Sequence, residues 1–371
     1  MWMREKRLIF APYIPIIMNK TILLALLILL PLATQAKGNF NYIKVKAGDA
    51  QSLLNVIEQA NTMNADTTSE RLFILIPNGV YDLGEQTLTT ITGHNIALVG
   101  ESMEGTVIMN APAVENEGIG KTATLLNRGN NTYVQDLTLK NALDYYHSGA
   151  AGRAVCWQDK GFRTIFKRVR MLSYQDTYYS HSETCQHYME DTEIHGTVDF
   201  ICGTGDVYFN RCLIVTEKRE PDGGGRNVIA APRTSITRWG YVFDHCTIRN
   251  DMSPFYLARG WHTAPRCTWL YTQLESPEKL LAPRFEPEGI RTVENAFFEY
   301  HTTDMQGRDI TPTSNVVTFV CKEDKREIET IIKPVIAEQY TLKNVFPDWE
   351  PGKITKKLFK QSNRMKKDYL L

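Results

Sequence analysis

Between residues 130 and 275 the chain alternates short apolar-rich runs with Gly, Asn and Asp. Several runs share one pattern: an aromatic or β-branched residue, two or three polar ones, then alternating apolar positions. YVQDLTLKN (133–141), IFKRVRMLS (165–173), YFNRCLIV (208–215) and VFDHCTIRN (242–250) follow it, and WLYTQLES (269–276) fits more loosely. With Leu137, Val169, Cys212 and Cys246 taken as equivalent, the intervals are 32, 43 and 34 residues. YMEDTEIHG (188–196) divides the long interval into two shorter coils. Unequal repeats of short strands without helices predict a solenoid of β-coils, with Thr, Cys, Val and Leu stacking as an internal ladder. A β-sandwich also places strands every 8–12 residues, but Asn-Gly and Asp-Gly hairpin turns are scarce between these runs.

The flanks read differently. DAQSLLNVIEQAN (49–61) carries apolar residues at 53, 54, 56 and 57. That spacing predicts a short amphipathic helix capping the open N-terminal end of the core. LFILIPNGVYDL (72–83) predicts a buried strand, a turn at Asn78-Gly79 and a second strand, and IALVGESMEGTVI (96–108) continues the strands. Past about residue 310 the pattern changes. YTLKNVFPDWEP (340–351) is expected to close the fold, and Gly352–Leu371, with seven Lys/Arg against one Asp, to be a solvated end.

At the N-terminus, MNKTILLALLILLPLATQAKG, from Met18, has a basic start at Lys20, an apolar run from Ile22 to Leu32 and small residues up to Ala36. This predicts a signal peptide cleaved near Ala36, and export to the periplasm or the extracellular space. An uncleaved anchor is the rival reading, but the run is short of the about 20 apolar residues a span needs. The expected organisation is an upstream extension over 1–17, a signal peptide over 18–36, one β-helix domain over 37–351 and a basic tail over 352–371. Lys+Arg and Asp+Glu balance at 42 each, which argues against a nucleic-acid binder carried by bulk charge. No stable membrane insertion is expected after cleavage. The seven cysteines show no zinc-site spacing and read as small buried hydrophobes.

Two carboxylates sit in odd settings. Asp176 lies in SYQDTYY, and Asp199 in the apolar strand of GTVDFICG. They are 23 residues apart, about one coil, so the solenoid would bring both onto one face. A carboxylate in such a strand is costly unless partnered. Arg259, in YLARGWH, is a fitting partner for a carboxylate that must stay ionised. The amide of Gln175 could stabilise a developing oxyanion. Each feature also has a structural reading, as an ion pair or a ladder rung. His181 and His195 are set aside as bases, one lying in a loop and the other directly before a glycine.

QDTYY, GTVDFICG and LARGW, in this order and spacing, resemble the QDTLY, GTVDFIFG and LGRPW of the pectin methylesterase family, carbohydrate esterase family 8. LVGESMEGTVI, GRAV (152–155), FFEY (297–300) and YTLKNVFPDWEP also fall where that family has counterparts, so the resemblance covers roughly residues 40 to 351. It implies an all-β fold, a single-stranded right-handed parallel β-helix. It also implies an esterase that demethylates galacturonate units of pectin with neither metal nor organic cofactor. Asp199 would be the nucleophile and Asp176 the general acid and then base. Gln175 would be an oxyanion donor, and Arg259 would hold Asp199 ionised and oriented. Tyr179 and Trp261 match aromatic positions lining the family's sugar groove. The partner implied is pectin, and a monomer is expected of an enzyme clasping a polymer in an open groove.

The departures are local. Arg153 stands where the family has a second oxyanion glutamine; it can donate hydrogen bonds but adds a charge near both aspartates. Cys202 replaces an aromatic that would contact sugar, and Ala258 and Gly260 flank the arginine in place of Gly and Pro. Alternatives are a pectin-binding protein without turnover and a β-helix hydrolase or lyase.

Overall fold

A computed structural model describes residues 41–148, 152–250 and 253–370, which belong to one compact unit, Phe40–Leu371. The segments predicted to be a signal peptide and an upstream extension lie outside the described residues. The chain coils into a parallel β-helix with three faces. On the first, Tyr42–Lys44, Leu72–Ile76 and Ile96–Gly100 begin a ladder that continues to Ala296–Tyr300. On the second, Gly79–Asp82 and Thr106–Asn110 begin a ladder ending at Thr303–Asp304. The third stacks seven short strands, from Thr89–Ile91 to Phe255–Ala258. Every pairing in these ladders is parallel. The antiparallel pair is the hairpin of Val316–Cys321 and Asp324–Glu329.

Thr132–Asn141 and Arg163–Leu172 are long enough to run through both of the first two faces. The bend within each falls on a left-handed residue, Asp136 or Arg168. The same corner recurs coil after coil at Asp191, Arg211, His245, Tyr271 and His301, with φ between 50° and 55°. A left-handed turn costs a non-glycine residue roughly 1 kcal/mol or more. Here the corner amides continue the ladder: Arg211, His245 and Tyr271 each donate to a carbonyl of the following coil, at 2.9–3.0 Å.

The next residue of each coil points inward. Leu137 pairs with Val169, and the register of the later strands continues that slot through Thr192, Cys212, Cys246, Thr272 and Thr302, all buried. This is the predicted ladder, and the extra coil at 188–196 supplies its Thr192 rung. Six of the seven cysteines are buried and all are free thiols.

Helix α1 (Ala50–Met63) starts at Asp49, whose side chain accepts from the Ser52 amide at 3.0 Å. It buries Leu53, Val56, Ile57 and Ala60 against the first coil, as the spacing predicted. At the other end of the chain, helices α2 (Pro334–Ala337) and α3 (Leu342–Val345) and the loop to Trp349 close the fold by covering the outer side of the first face. Tyr340, Val345, Phe346 and Trp349 pack there with Tyr133, Ile165, Tyr188 and Tyr208.

The basic run is not a solvated end. It forms α4 (Pro351–Tyr369), which buries Thr355, Leu358, Ser362, Met365 and Lys366 on that same side. Lys366 Nζ reaches buried Asp136 Oδ2 at 2.6 Å, and Asp136 also binds Arg168. Leu358 and Met365 are the large apolar side chains that the helix buries, too sparse a signal among seven cations to read as a helix. Lys366→Met should cost roughly 1–3 kcal/mol, because a buried carboxylate loses one of its two cations. Chemical denaturation checks this; an unchanged midpoint would contradict the anchoring role.

Candidate active site

The third face turns its strands so that two aspartates emerge from apolar sequence. In Val198–Gly203, Val198 pairs with Val228 and Ile201 with Ala230, so two residues oppose one and the strand bulges. Asp199 takes the left-handed conformation there, φ 53°. After the bulge Phe200 and Ile201 both enter the core, and Cys202 faces outward with Tyr179 and Ala231. One coil earlier Asp176 has φ 60°, Tyr178 enters the core and Tyr179 faces out. Tyr178 pairs with Ile201, so Asp176 and Asp199 occupy equivalent slots on adjacent coils, about 4.8 Å apart along the stack.

Arg259 belongs to the outward row of Cys202 and Ala231, since Cys202 pairs with Ala231 and Ala230 with Ala258. It clamps Asp199 bidentately: Nε donates to Oδ1 at 2.8 Å and Nη2 donates to Oδ2. Gly260 follows for want of space rather than for unusual φ, because a Cβ there would come within 2.1 Å of Asn295 Oδ1.

Asp176 has no such clamp. Burial first, and then the charge of Asp199, push its carboxyl well above the usual range; Arg153, Arg259 and a hydrogen bond from Cys202 work against them. The Cys202 thiol lies 3.8 Å from Asp176 Oδ1, and burial and both aspartates keep it protonated. Cys202 is fully buried and supplies a donor to Asp176, a role the sequence did not suggest.

Arg153 pairs in backbone register with Gln175, beside the carboxyls. Its Nε meets Glu117 Oε2 at 3.2 Å, a partner not identified from sequence. Gln175 lines a cavity of about 170 Å³ with Tyr145, Tyr146, Gly152, Arg219 and Glu220. Tyr145 and Tyr146 also line a neighbouring cavity of about 480 Å³ with Tyr174 and Glu217. Tyr145 and Tyr174 stack at 4.7 Å, with Tyr146 edge-on to both at 5.3 Å. These tyrosines were missed because their assembly depends on tertiary contact. On the other side of the carboxyls, Tyr179 packs 6.3 Å from Trp261 and stacks on His181 at 4.7 Å. Only 5% of Tyr179 is exposed, so Trp261 offers the more accessible ring. His195 is held between Glu217 at 2.5 Å and Glu193 at 2.6 Å, and lines the larger cavity.

A family model described as Pectinesterase matches residues 43–282. The chain belongs to the pectinesterase family. Among curated relatives, a probable pectinesterase 30 of Arabidopsis thaliana is 30% identical over 226 residues, covering 58% of this chain and 44% of that protein. A probable pectinesterase 50 of the same plant is 27% identical over 256 residues, covering 66% and 68%. The chain thus spans about half the length of the first of these pectinesterases. The pectin methylesterase of Erwinia chrysanthemi shares the fold at a TM-score of 0.64 and 24% identity, over 84% of this chain and 98% of that one. The carrot enzyme shares it at 0.65 and 22%, over 80% and 90%. Pectinesterase membership and a parallel β-helix therefore agree.

The raised pKa of Asp176 has a stability consequence. Ionising this carboxyl in the fold is penalised, so the penalty is absent below the unfolded value, near 3.8, and grows as pH rises towards the folded value. Asp176→Asn should therefore melt a few degrees above the parent at pH 7 to 8, with the gap closing towards pH 4. Thermal denaturation across pH checks this, and a variant less stable at pH 8 than at pH 4 relative to the parent would contradict it.

Proposed function

We propose that this chain hydrolyses the methyl esters of galacturonate units in pectin, releasing methanol and leaving a free carboxylate on the polymer. The observation that carries the reading is the inequality of two stacked carboxyls: Asp199 is clamped by Arg259, whereas Asp176 is buried beside it and inclined to keep its proton. Asp199 uses an Oδ lone pair to attack the ester carbonyl carbon. The negative charge passes to the carbonyl oxygen, where Gln175 donates its amide and Arg153 assists. Collapse of that intermediate breaks the C–O bond to the methoxy group, which takes the Asp176 proton and departs as methanol. The sugar is left joined to Asp199 as an acyl-enzyme. Asp176, now ionised, takes a proton from water, whose oxygen attacks the sugar acyl carbon. Asp199 leaves as the carboxylate, and Asp176 is protonated for the next cycle.

Tyr179 and Trp261 on one flank, with the tyrosine cluster on the other, suit sugar rings either side of the reacting unit. Pectin is the partner in this reading, with the chain acting as a monomer. Its expected setting is the periplasm or extracellular space after signal cleavage near Ala36.

Methanol release from highly methylated polygalacturonan tests the reading. Asp199→Ala should lower it on the order of 10³-fold or more, with polymer length unchanged. Chain shortening or unsaturated ends would instead indicate a hydrolase or lyase. Polymer binding without methanol would indicate a binder. Arg153 lowers the Asp176 pKa, so Arg153→Gln should raise it and move the alkaline limb of kcat/KM to higher pH. A limb that moves to lower pH would contradict that role.

A further inference from the structure

Helix α4 spends one of its cations on the fold and leaves six exposed. Lys366 is buried against Asp136, whereas Lys353, Lys356, Lys357, Lys360, Arg364 and Lys367 all face solvent. Five of them, at 353, 357, 360, 364 and 367, recur at alternating steps of four and three, which aligns them along one side of a helix. That row spans about 21 Å at 1.5 Å per residue. Lys353 pairs with Glu350 at 2.5 Å, and the one acid within the helix is Asp368. A chain with 42 cations and 42 anions thus gathers exposed cations along one ridge, with Glu350 and Asp368 at its two ends. The helix covers the first face, whereas Asp176, Asp199 and Arg259 lie on the third.

We infer that this ridge is a second binding surface, for the de-esterified polygalacturonate tracts that the proposed reaction generates. The inference rests on that reading for the identity of the polymer. An extended anionic polysaccharide presents carboxylates at regular intervals, and a row of flexible lysines meets them without needing an exact register. An anionic lipid surface would require apolar side chains beside the cations to enter the interface. Here Leu358 and Met365 are turned into the protein. Single-stranded nucleic acid would call for exposed aromatic rings among the cations. Tyr369 instead stacks on Tyr42 at 4.5 Å, and Phe359 lies beneath Lys167 and Arg168. Product tracts held on the first face would keep methylated stretches of the same polymer near the third, raising their effective concentration.

The test uses the full chain and fully de-esterified polygalacturonate, which offers no ester to turn over. The parent should bind it with an affinity that falls on the order of tenfold between 50 and 200 mM salt. Replacing the six exposed cations by glutamine should weaken binding at 50 mM salt at least tenfold. Methanol release from a short methylated trigalacturonate should stay within about twofold, and circular dichroism should be unchanged. If the sixfold variant fails to fold, K357Q/K360Q/R364Q should give a smaller loss of the same kind. An affinity at 50 mM salt that these substitutions leave within about twofold of the parent's would overturn the inference. So would tighter retention on phosphatidylglycerol vesicles than on polygalacturonate, lost in the same variants. A parent that binds polygalacturonate through the ridge but releases no methanol would refute the esterase and leave the ridge standing.

Discussion

Everything at the candidate site depends on the register in which one coil lies on the next. Parallel pairing of Tyr178 with Ile201 places Asp176 over Asp199, each in a left-handed slot. That slot is what lets a carboxylate leave an apolar strand. A bulge at Asp199 sends two consecutive residues, Phe200 and Ile201, into the core and frees the aspartate to face outward. Strained backbone of this kind persists where the surroundings over-determine it. Here the surroundings are the core beneath and the arginine above.

The same register makes the two carboxyls unlike. Asp199 receives both donors of Arg259, from a strand two coils on, across a coil that presents only the small Ala231 in that row. Asp176 receives burial, a neighbouring negative charge and a weak thiol donor. The reaction needs an acid that holds its proton beside a clamped nucleophile, and burial of Asp176 next to a charged neighbour meets that need. The division follows from where the coils put the partners, since the side chains themselves are identical.

Much of this was legible in the sequence. The repeat spacing located the inward ladder from Leu137 to Cys246, and the 23-residue separation of the aspartates matched one coil. What escaped was whatever depends on contacts between distant segments. The tail looked solvated because seven cations outweigh Leu358 and Met365, and its anchor, Asp136, lies 230 residues away from Lys366. Cys202 looked like the loss of a ring, yet the coil below turns its thiol into a donor. Glu117 and the cluster of Tyr145, Tyr146 and Tyr174 carried no local signal, since their role arises only when loops from different coils meet. Gly260 stood in the sequence only as a departure from Pro, and it is Asn295, brought against it by a later coil, that shows space to be the constraint.

The claim at the centre is that stacking keeps Asp176 protonated beside a clamped Asp199. Carbon NMR of the chain labelled at aspartate carboxyls measures it directly, with the Asp176 resonance assigned by its absence in Asp176→Asn. The account predicts titration of Asp176 well above the usual carboxylate range, and a shift back towards that range when Asp199 is replaced by Asn. Titration of Asp176 at an ordinary carboxylate pKa, unmoved by that replacement, would contradict it.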